Sequence, residues 1–489
     1  MLLIILSCLQ AGLFGVLFYA ASALLSGRSS HPTLAAATAF APMVVTGWLA
    51  FLAVWLDRHA APVINCGVYL SLIPALWICF IRPLQKDAAI AACLWVLATV
   101  VILFWAFGET GINDMVGIAR SRFIPINTGD NTIPLDFANA LLAGHVPSPL
   151  HGDWLSSDRP PLQTGIFLAF RLPGLSIEVA YQILSTTLQM AIVPATYVLG
   201  RASGISRTHG VVLAALVFFA PVTIINGVFV WPKLLTAALL AAAAAIHFTG
   251  NYKDAKDSTI AGIAVGSLSA GAMLAHGAAA FTLIAFAIIA AASGRWATWR
   301  YSVAAVIVFA VLQGSWIGYQ KFIDPPGDRL LKWQLAGVVD YGDNRSLHQA
   351  LHDAYAGMTT GNHLDRTKHK IGVTLEQPFV VTSAQPAQSV RSAMFFYMLP
   401  ALGLSGVVGL LAIFQMAFTA QRLFALIFFV NYGVWLALIY DQGGVIVHQS
   451  SMFMLFLLLL AAVHLLKRVP LTLYALATGQ IAASLYYLK

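Results

Sequence analysis

Uncharged apolar runs, each about twenty residues long, recur along this chain and narrow the folds open to it. A run of that length matches the hydrocarbon thickness of a bilayer, where only a helix satisfies its own backbone hydrogen bonds without water. We count about fourteen such spans, at roughly 3–26, 35–56, 63–81, 88–107, 176–199, 210–226, 233–249, 258–275, 277–294, 301–319, 394–414, 422–440, 451–466 and 470–488. Of the 489 residues, 9% are charged and 59% apolar, whereas a water-exposed domain carries roughly 25% charge. The expected fold class is an all-α polytopic membrane protein. The first run, Met1 to Leu25, lacks the basic start and small-residue cleavage site of a signal peptide, so it reads as a retained helix. Cys8, Cys66, Cys79 and Cys93 all fall inside apolar runs and read as free thiols. The net charge of +8 is scattered singly between the runs. It reads as a topology signal rather than a nucleic-acid surface.

Two long polar segments interrupt the runs, at about 108–162 and 320–393. Basic residues concentrate in short cytoplasmic loops of membrane proteins. With both long segments outside, the short inside loops hold Arg28, Arg82, Lys86, Arg201, Arg207, Lys253, Lys256, Arg295, Arg300, Arg422, Lys467 and Arg468, twelve in all. The short outside connections and the C-terminal tip hold Arg58, Lys233 and Lys489, only three. That imbalance places both large loops outside the cell interior. The chain accordingly divides into N-terminal helices (1–107), a first outside loop with juxtamembrane helices (108–175), a central bundle (176–319), a second outside loop (320–393) and C-terminal helices (394–489).

This topology closes only if the run from Leu162 to Leu172 does not span. It is half the required length and is stopped by Arg171, Pro173 and Gly174, so it is expected to be an interfacial or re-entrant segment that anchors the loop at the membrane surface. Pro160 and Pro161 before it stiffen the joint that carries Asp158 and Arg159. Upstream, Ile133, Phe137, Ala140, Leu141 and Gly144 fall at helical spacing, with Asp136 and Asn139 off that stripe. Pro134 suits a first turn capped by Asn131 or Thr132, and Gly144 suits its end. The spacing predicts a short amphipathic helix able to lie on the membrane.

Asp130 ahead of that helix, then Ala138-x-x-Leu141-Leu142-x-Gly144, then Arg159-Pro160-Pro161-Leu162 and an apolar run resemble the first external loop of GT-C glycosyltransferases. Within that superfamily the pattern is similar to that of the bacterial aminoarabinose and protein mannosyl transferases. The matched stretch runs from Asp130 to Leu175. Two departures stand out: the family often has an Asp-Glu pair where this chain has Asp130-Asn131, and usually one span before the loop where this chain has about four. The resemblance implies a GT-C-like layout and transfer of a sugar from a polyprenyl-phosphate donor to an envelope glycan, glycolipid or protein acceptor. It also implies that Asp130 is the catalytic base. One carboxylate suffices chemically, because an acceptor hydroxyl must lose a proton as it attacks while a lipid phosphate leaves as a stable anion. A glycosidase, by contrast, needs a second carboxyl group to protonate its leaving oxygen. Direct displacement implies inversion. Asp114 is the rival base, and Asp130 also stands where a helix-capping carboxylate would stand.

A departing phosphate requires positive charge where water is excluded. Candidates are Arg159, Lys233, His276 and His448, with Arg329 and Lys332 in the second loop. Lys233 breaks an otherwise uncharged outside turn and also suits a Trp-Lys interfacial anchor. Asn131, Asp158 and Gln449 are further polar candidates, and Asp441 precedes the His448 turn. No Cys/His spacing suggests zinc, and scattered carboxylates do not establish a divalent-metal site. The expected place is the inner or plasma membrane, among membrane lipids, with chemistry on the outer face. Two other functions fit such a chain: a transporter or flippase of lipid-linked saccharides, and an oligosaccharide ligase or polymerase. A transporter calls for ionisable groups or broken helices within the membrane.

Overall fold

The structure is a computed structural model and describes residues 1–26, 32–123, 129–145, 149–250, 255–293, 298–340, 342–376, 386–440 and 446–488. Arg28, Lys253, Arg295, Asp441 and Lys489 therefore lie outside the described residues. Every named element is helical. Among the described residues, seven helices are long and apolar enough to cross a membrane, eight if one bent pair counts as a span. They are α1 (Leu2–Ser26), α2 (Thr33–Leu56), α3 (Ala60–Ile81), α4 (Lys86–Phe107), α8 (Ile177–Ala202), α12 (Asp257–Ala275) and α14 (Trp299–Phe322). The bent pair is α9 (Arg207–Phe218) and α10 (Pro221–Phe229), at 61°. Pro221 accounts for the bend, since it lacks the amide that would continue the ladder. Shorter apolar helices occupy other expected intervals: α11 (Lys233–Thr249), α13 (Ala279–Ala292), α19 (Leu404–Met416), α20 (Arg422–Leu438) and α21 (Phe453–Leu466).

Helix α8 is buried along all but its two ends, whereas α3 is almost wholly exposed, with Trp77 and Phe80 outward. In lipid no hydrophobic force draws helices together, so close backbone approach matters more. Gly262 and Gly266 on α12, four residues apart, lie directly against the backbone at Tyr301 and Ala305 of α14. A Cβ on either glycine would meet a carbonyl oxygen at 2.4 or 2.5 Å.

The first long polar segment folds differently from the expectation of a surface-lying segment. Helix α6 (Ile133–Ala143) begins and ends where predicted, with Gly144 closing it at φ +80°. However, Ile133, Phe137 and Leu141 are buried in protein, and Phe137 packs on Phe51 and Tyr319 with ring centres 5.5 and 6.1 Å away. Helix α7 (Leu162–Phe170) is short, as predicted, and all nine of its residues are buried, which does not match the surface-anchor alternative and is compatible with the re-entrant one. The reason is Gly165, which crosses α2 at Gly47 so closely that a Cβ would sit 2.0 Å from the Gly47 carbonyl oxygen. The segment plugs the bundle instead of floating on it.

The second loop locks onto the first. Asp324 accepts hydrogen bonds from the Ser156 hydroxyl (2.6 Å) and the Ser157 amide (3.2 Å). Gln320 donates to the Ser157 carbonyl at 2.8 Å. In the same loop lie α15 (Arg329–Ala336), α16 (Leu347–Tyr355) and α17 (Thr360–Glu376).

Candidate functional site

The first loop and three inter-helix connections bring five of the eleven predicted polar residues together: Asp130, Arg159, Lys233, His276 and His448. Arg159 donates to the Asp130 carboxylate at 3.1 Å, and both side chains are largely enclosed. The Arg159 guanidinium also lies over the Trp154 ring, 4.3 Å from its centre. Across from this pair, Lys233 opens α11 and is only 2% exposed. Its ammonium sits 4.0 Å over the Trp231 ring and donates to the carbonyl and imidazole of His448. Trp231 stacks on His448 at 5.2 Å and meets His276 edge-on at 5.9 Å. Lys233 is attracted by Asp130 and repelled by Arg159, and His276 feels both cations, so the two halves share one electrostatic site.

The protonation pattern at His448 follows from its partners. Its Nε2 lies 3.0 Å from the Phe395 carbonyl oxygen, which can only accept, so Nε2 carries the hydrogen. A neutral imidazole then presents Nδ1 as an acceptor to the Lys233 ammonium, 3.2 Å away. His276 turns its Nδ1 inward to accept the Ala278 amide at 3.2 Å. Lys233 also stands at the helix N-terminus, where backbone amides add partial positive charge. Among the described residues, the site thus sets two cations, Lys233 and Arg159, with one carboxylate, Asp130.

The remaining predicted residues serve neighbouring structure. Asp130 is not the cap of α6, which Thr132 precedes without a capping side-chain bond. Asp114 does cap: its carboxylate accepts the Gly117 amide at the start of α5 (Met115–Ser121), and the side chain faces outward. Asn131 is fully buried, donates to the Val116 carbonyl and accepts the Tyr181 hydroxyl at 2.7 Å through its own carbonyl. Asp158 bonds the Leu155 amide and pairs with Arg329 at 3.2 Å. Burial holds the Asp158 carboxyl above its ordinary range, against the pull of that amide and of Arg329. Arg329 additionally donates to the Asp153 carbonyl, at 2.8 Å. Lys332 is buried within its own loop, donating to the Asp343 and Arg345 carbonyls at 3.0 Å each and pairing with Asp328 at 3.4 Å. Gln449 lies beside His448, with a buried side-chain oxygen lacking a hydrogen-bond partner among the described residues.

Trp154 and Trp231 were not singled out from the sequence as site residues, yet each backs one of the two cations. A tryptophan one or two positions from a lone membrane-border cation is the signal that pointed to Trp231 only as an anchor. Among the described residues no three or more His, Cys, Asp and Glu side chains gather as metal ligands would.

Fold and site together define an all-helical, membrane-embedded protein with a buried cationic cluster facing one carboxylate. No protein-family model matches the chain, and no curated protein or solved structure matches it.

Proposed function

We propose that this chain is a GT-C-type glycosyltransferase of the inner or plasma membrane, with about fourteen spans and both long loops outside. It moves a sugar from a polyprenyl-phosphate carrier to a cell-envelope acceptor on the outer face. The observation that carries the reading is Lys233: a buried ammonium with no carboxylate in ion-pair contact among the described residues, beside Arg159 and Asp130. A buried cation held by a carbonyl and an imidazole is costly alone and is suited to an anionic ligand. The donor's phosphate supplies that anion, and its charge grows as it leaves. Asp130 accepts the acceptor hydroxyl's proton while that oxygen bonds the anomeric carbon. The carbon–oxygen bond to phosphate breaks, and its electron pair leaves with the lipid phosphate. Phosphate reaching Arg159 competes with Asp130 for the guanidinium and so frees the base.

The break between α9 and α10 favours a second reading, transport of a lipid-linked saccharide, because broken helices mark transporter sites. Purified protein in vesicles, given a polyprenyl-phosphate sugar and an envelope acceptor, separates the two. Transfer releases free polyprenyl phosphate. Movement of intact lipid-linked sugar across the bilayer without release supports transport instead.

A further inference from the structure

Next to the site, α7 and α8 carry two buried glutamines in a polar pocket that also holds Tyr181 and Ser185, and neither belongs to the chemistry above. Gln163 and Gln189 are both fully buried. A buried primary amide is retained only where its donors and acceptor are met, since an unmet amide in lipid is strongly unfavourable. These two meet each other: the Gln189 amide donates to the Gln163 oxygen at 3.1 Å. Their outer ends then grip the chain on both sides of Trp231 and Lys233. Gln163 donates to the Val230 carbonyl at 3.1 Å, and the Gln189 oxygen accepts the Leu235 amide at 3.1 Å.

Both grips answer a local defect. Val230 has φ +54°, a left-handed conformation that a β-branched side chain resists, so the turn does not hold itself. The Leu235 amide is one of the unpaired donors in the first turn of α11, and the capping position is Pro232, whose side chain cannot accept a hydrogen bond. Gln189 supplies the missing cap from another helix. Gln163 further donates to the Tyr181 hydroxyl at 3.1 Å, and that hydroxyl donates to the carbonyl of Asn131, next to Asp130. One polar chain therefore ties the carboxylate loop to the lysine turn.

We infer that Gln163 and Gln189 are positioning residues, whose paired amides hold the Val230–Leu235 turn and so set the Lys233 ammonium against Trp231 and toward Asp130. The functional part of this inference rests on the glycosyltransferase reading, while its structural part does not.

The test uses the full chain in lipid nanodiscs. Gln189→Met keeps side-chain length but removes both amide contacts, and Gln163→Met breaks the other grip. Labelling of each lysine by a small amine-acylating reagent is followed by peptide mass spectrometry. In either variant the Lys233 rate should rise about tenfold or more, while buried Lys332 and Lys370 keep their wild-type rates as internal controls. Unchanged Lys233 labelling in both variants overturns the inference. So does a rise shared by all three lysines, which marks general loosening. If one variant does not fold, the other decides. In the transfer assay, Gln189→Met should lower kcat/KM about tenfold in the wild-type background and at most about twofold in Lys233→Ala, because the two act through one group. Multiplying losses overturn the inference. Absence of any transfer by the wild type sinks the glycosyltransferase reading, and the labelling result still decides the positioning role.

Discussion

Arg159 and Asp130 are hydrogen-bonded at 3.1 Å, so the cation assigned to the donor phosphate and the carboxylate assigned to the acceptor proton are already partners. The pair places one phosphate contact and the base on the same side of the site. Under the proposed transfer, Lys233, which interacts electrostatically with both, would offer a leaving phosphate a second cation.

Asp130→Asn should leave the fold intact and lower turnover by about 100-fold or more, the scale of lost general-base catalysis. Asparagine preserves an acceptor for Arg159 but cannot take a proton. Asp114→Asn should be nearly silent, since Asn both caps helices and tolerates the left-handed φ of +44° found there. Turnover of the two purified variants decides. Full activity in Asp130→Asn sinks the assignment.

Lys233→Met should weaken binding of polyprenyl phosphate about ten- to a hundredfold, as expected for hydrogen bonds to a charged group. Thermal stability should hold or rise, because a buried charge is replaced by an apolar chain of similar length. Direct binding of the lipid phosphate in nanodiscs checks this, and undiminished affinity rules Lys233 out as its ligand.

A titration should be visible in the second long loop. Lys370 on α17 donates to the carbonyls of Leu436 and Ile439 at the end of α20. Burial first, and then repulsion by Arg366, bring its ammonium down to about 8. An unfolded lysine titrates near 10.4. Between those values the unfolded chain keeps a proton that the folded chain has released, so stability contributed by Lys370 rises with pH. The unfolding free energy of wild type relative to Lys370→Met should thus increase from about pH 8 to about pH 10. An equal difference at both ends removes Lys370 as the cause.

Gly165→Ala should destabilise by about 1–3 kcal/mol, the usual cost of overpacking. The new methyl group would press on the Gly47 carbonyl and push α7, which carries Gln163. Thermal unfolding in detergent measures the effect, and an unchanged transition would mean the crossing opens freely.

Topology is checked in a cysteine-free background, since Cys8, Cys66 and Cys93 are exposed. Asn344→Cys, exposed in the second loop, should react with a membrane-impermeant thiol reagent in cells whose outer barrier is opened. Ala420→Cys, exposed before α20, should react only in inverted vesicles. Ser157 lies in the first loop but is buried and would report nothing. The reverse pattern would turn the proposed orientation over.

The sequence by itself determined the membrane-embedded helical class, the bounds of α6, the shortness of α7 and the residue types of the site. Each rests on local chemistry: run length, helical spacing, a closing glycine, a proline joint. Asp130, Arg159, Lys233, His276 and His448 were each legible as polar residues at run ends, where an apolar chain has little other reason to place them. Only the tertiary structure decided which of them meet, because they come from turns far apart in sequence whose register is set by helix packing. It also separated the two placements open to α7, surface anchor or re-entrant segment, by burying it within the bundle. Run length cannot tell lipid from protein as the apolar surrounding, whereas the contact of Gly165 with Gly47 can. The same packing placed Arg329 on Asp158 and over the Trp154 ring that also backs Arg159, and closed Lys332 into its own loop. Two buried glutamines became meaningful only when their partners, Val230 and Leu235, were in view, since an amide's role is fixed by what it bonds.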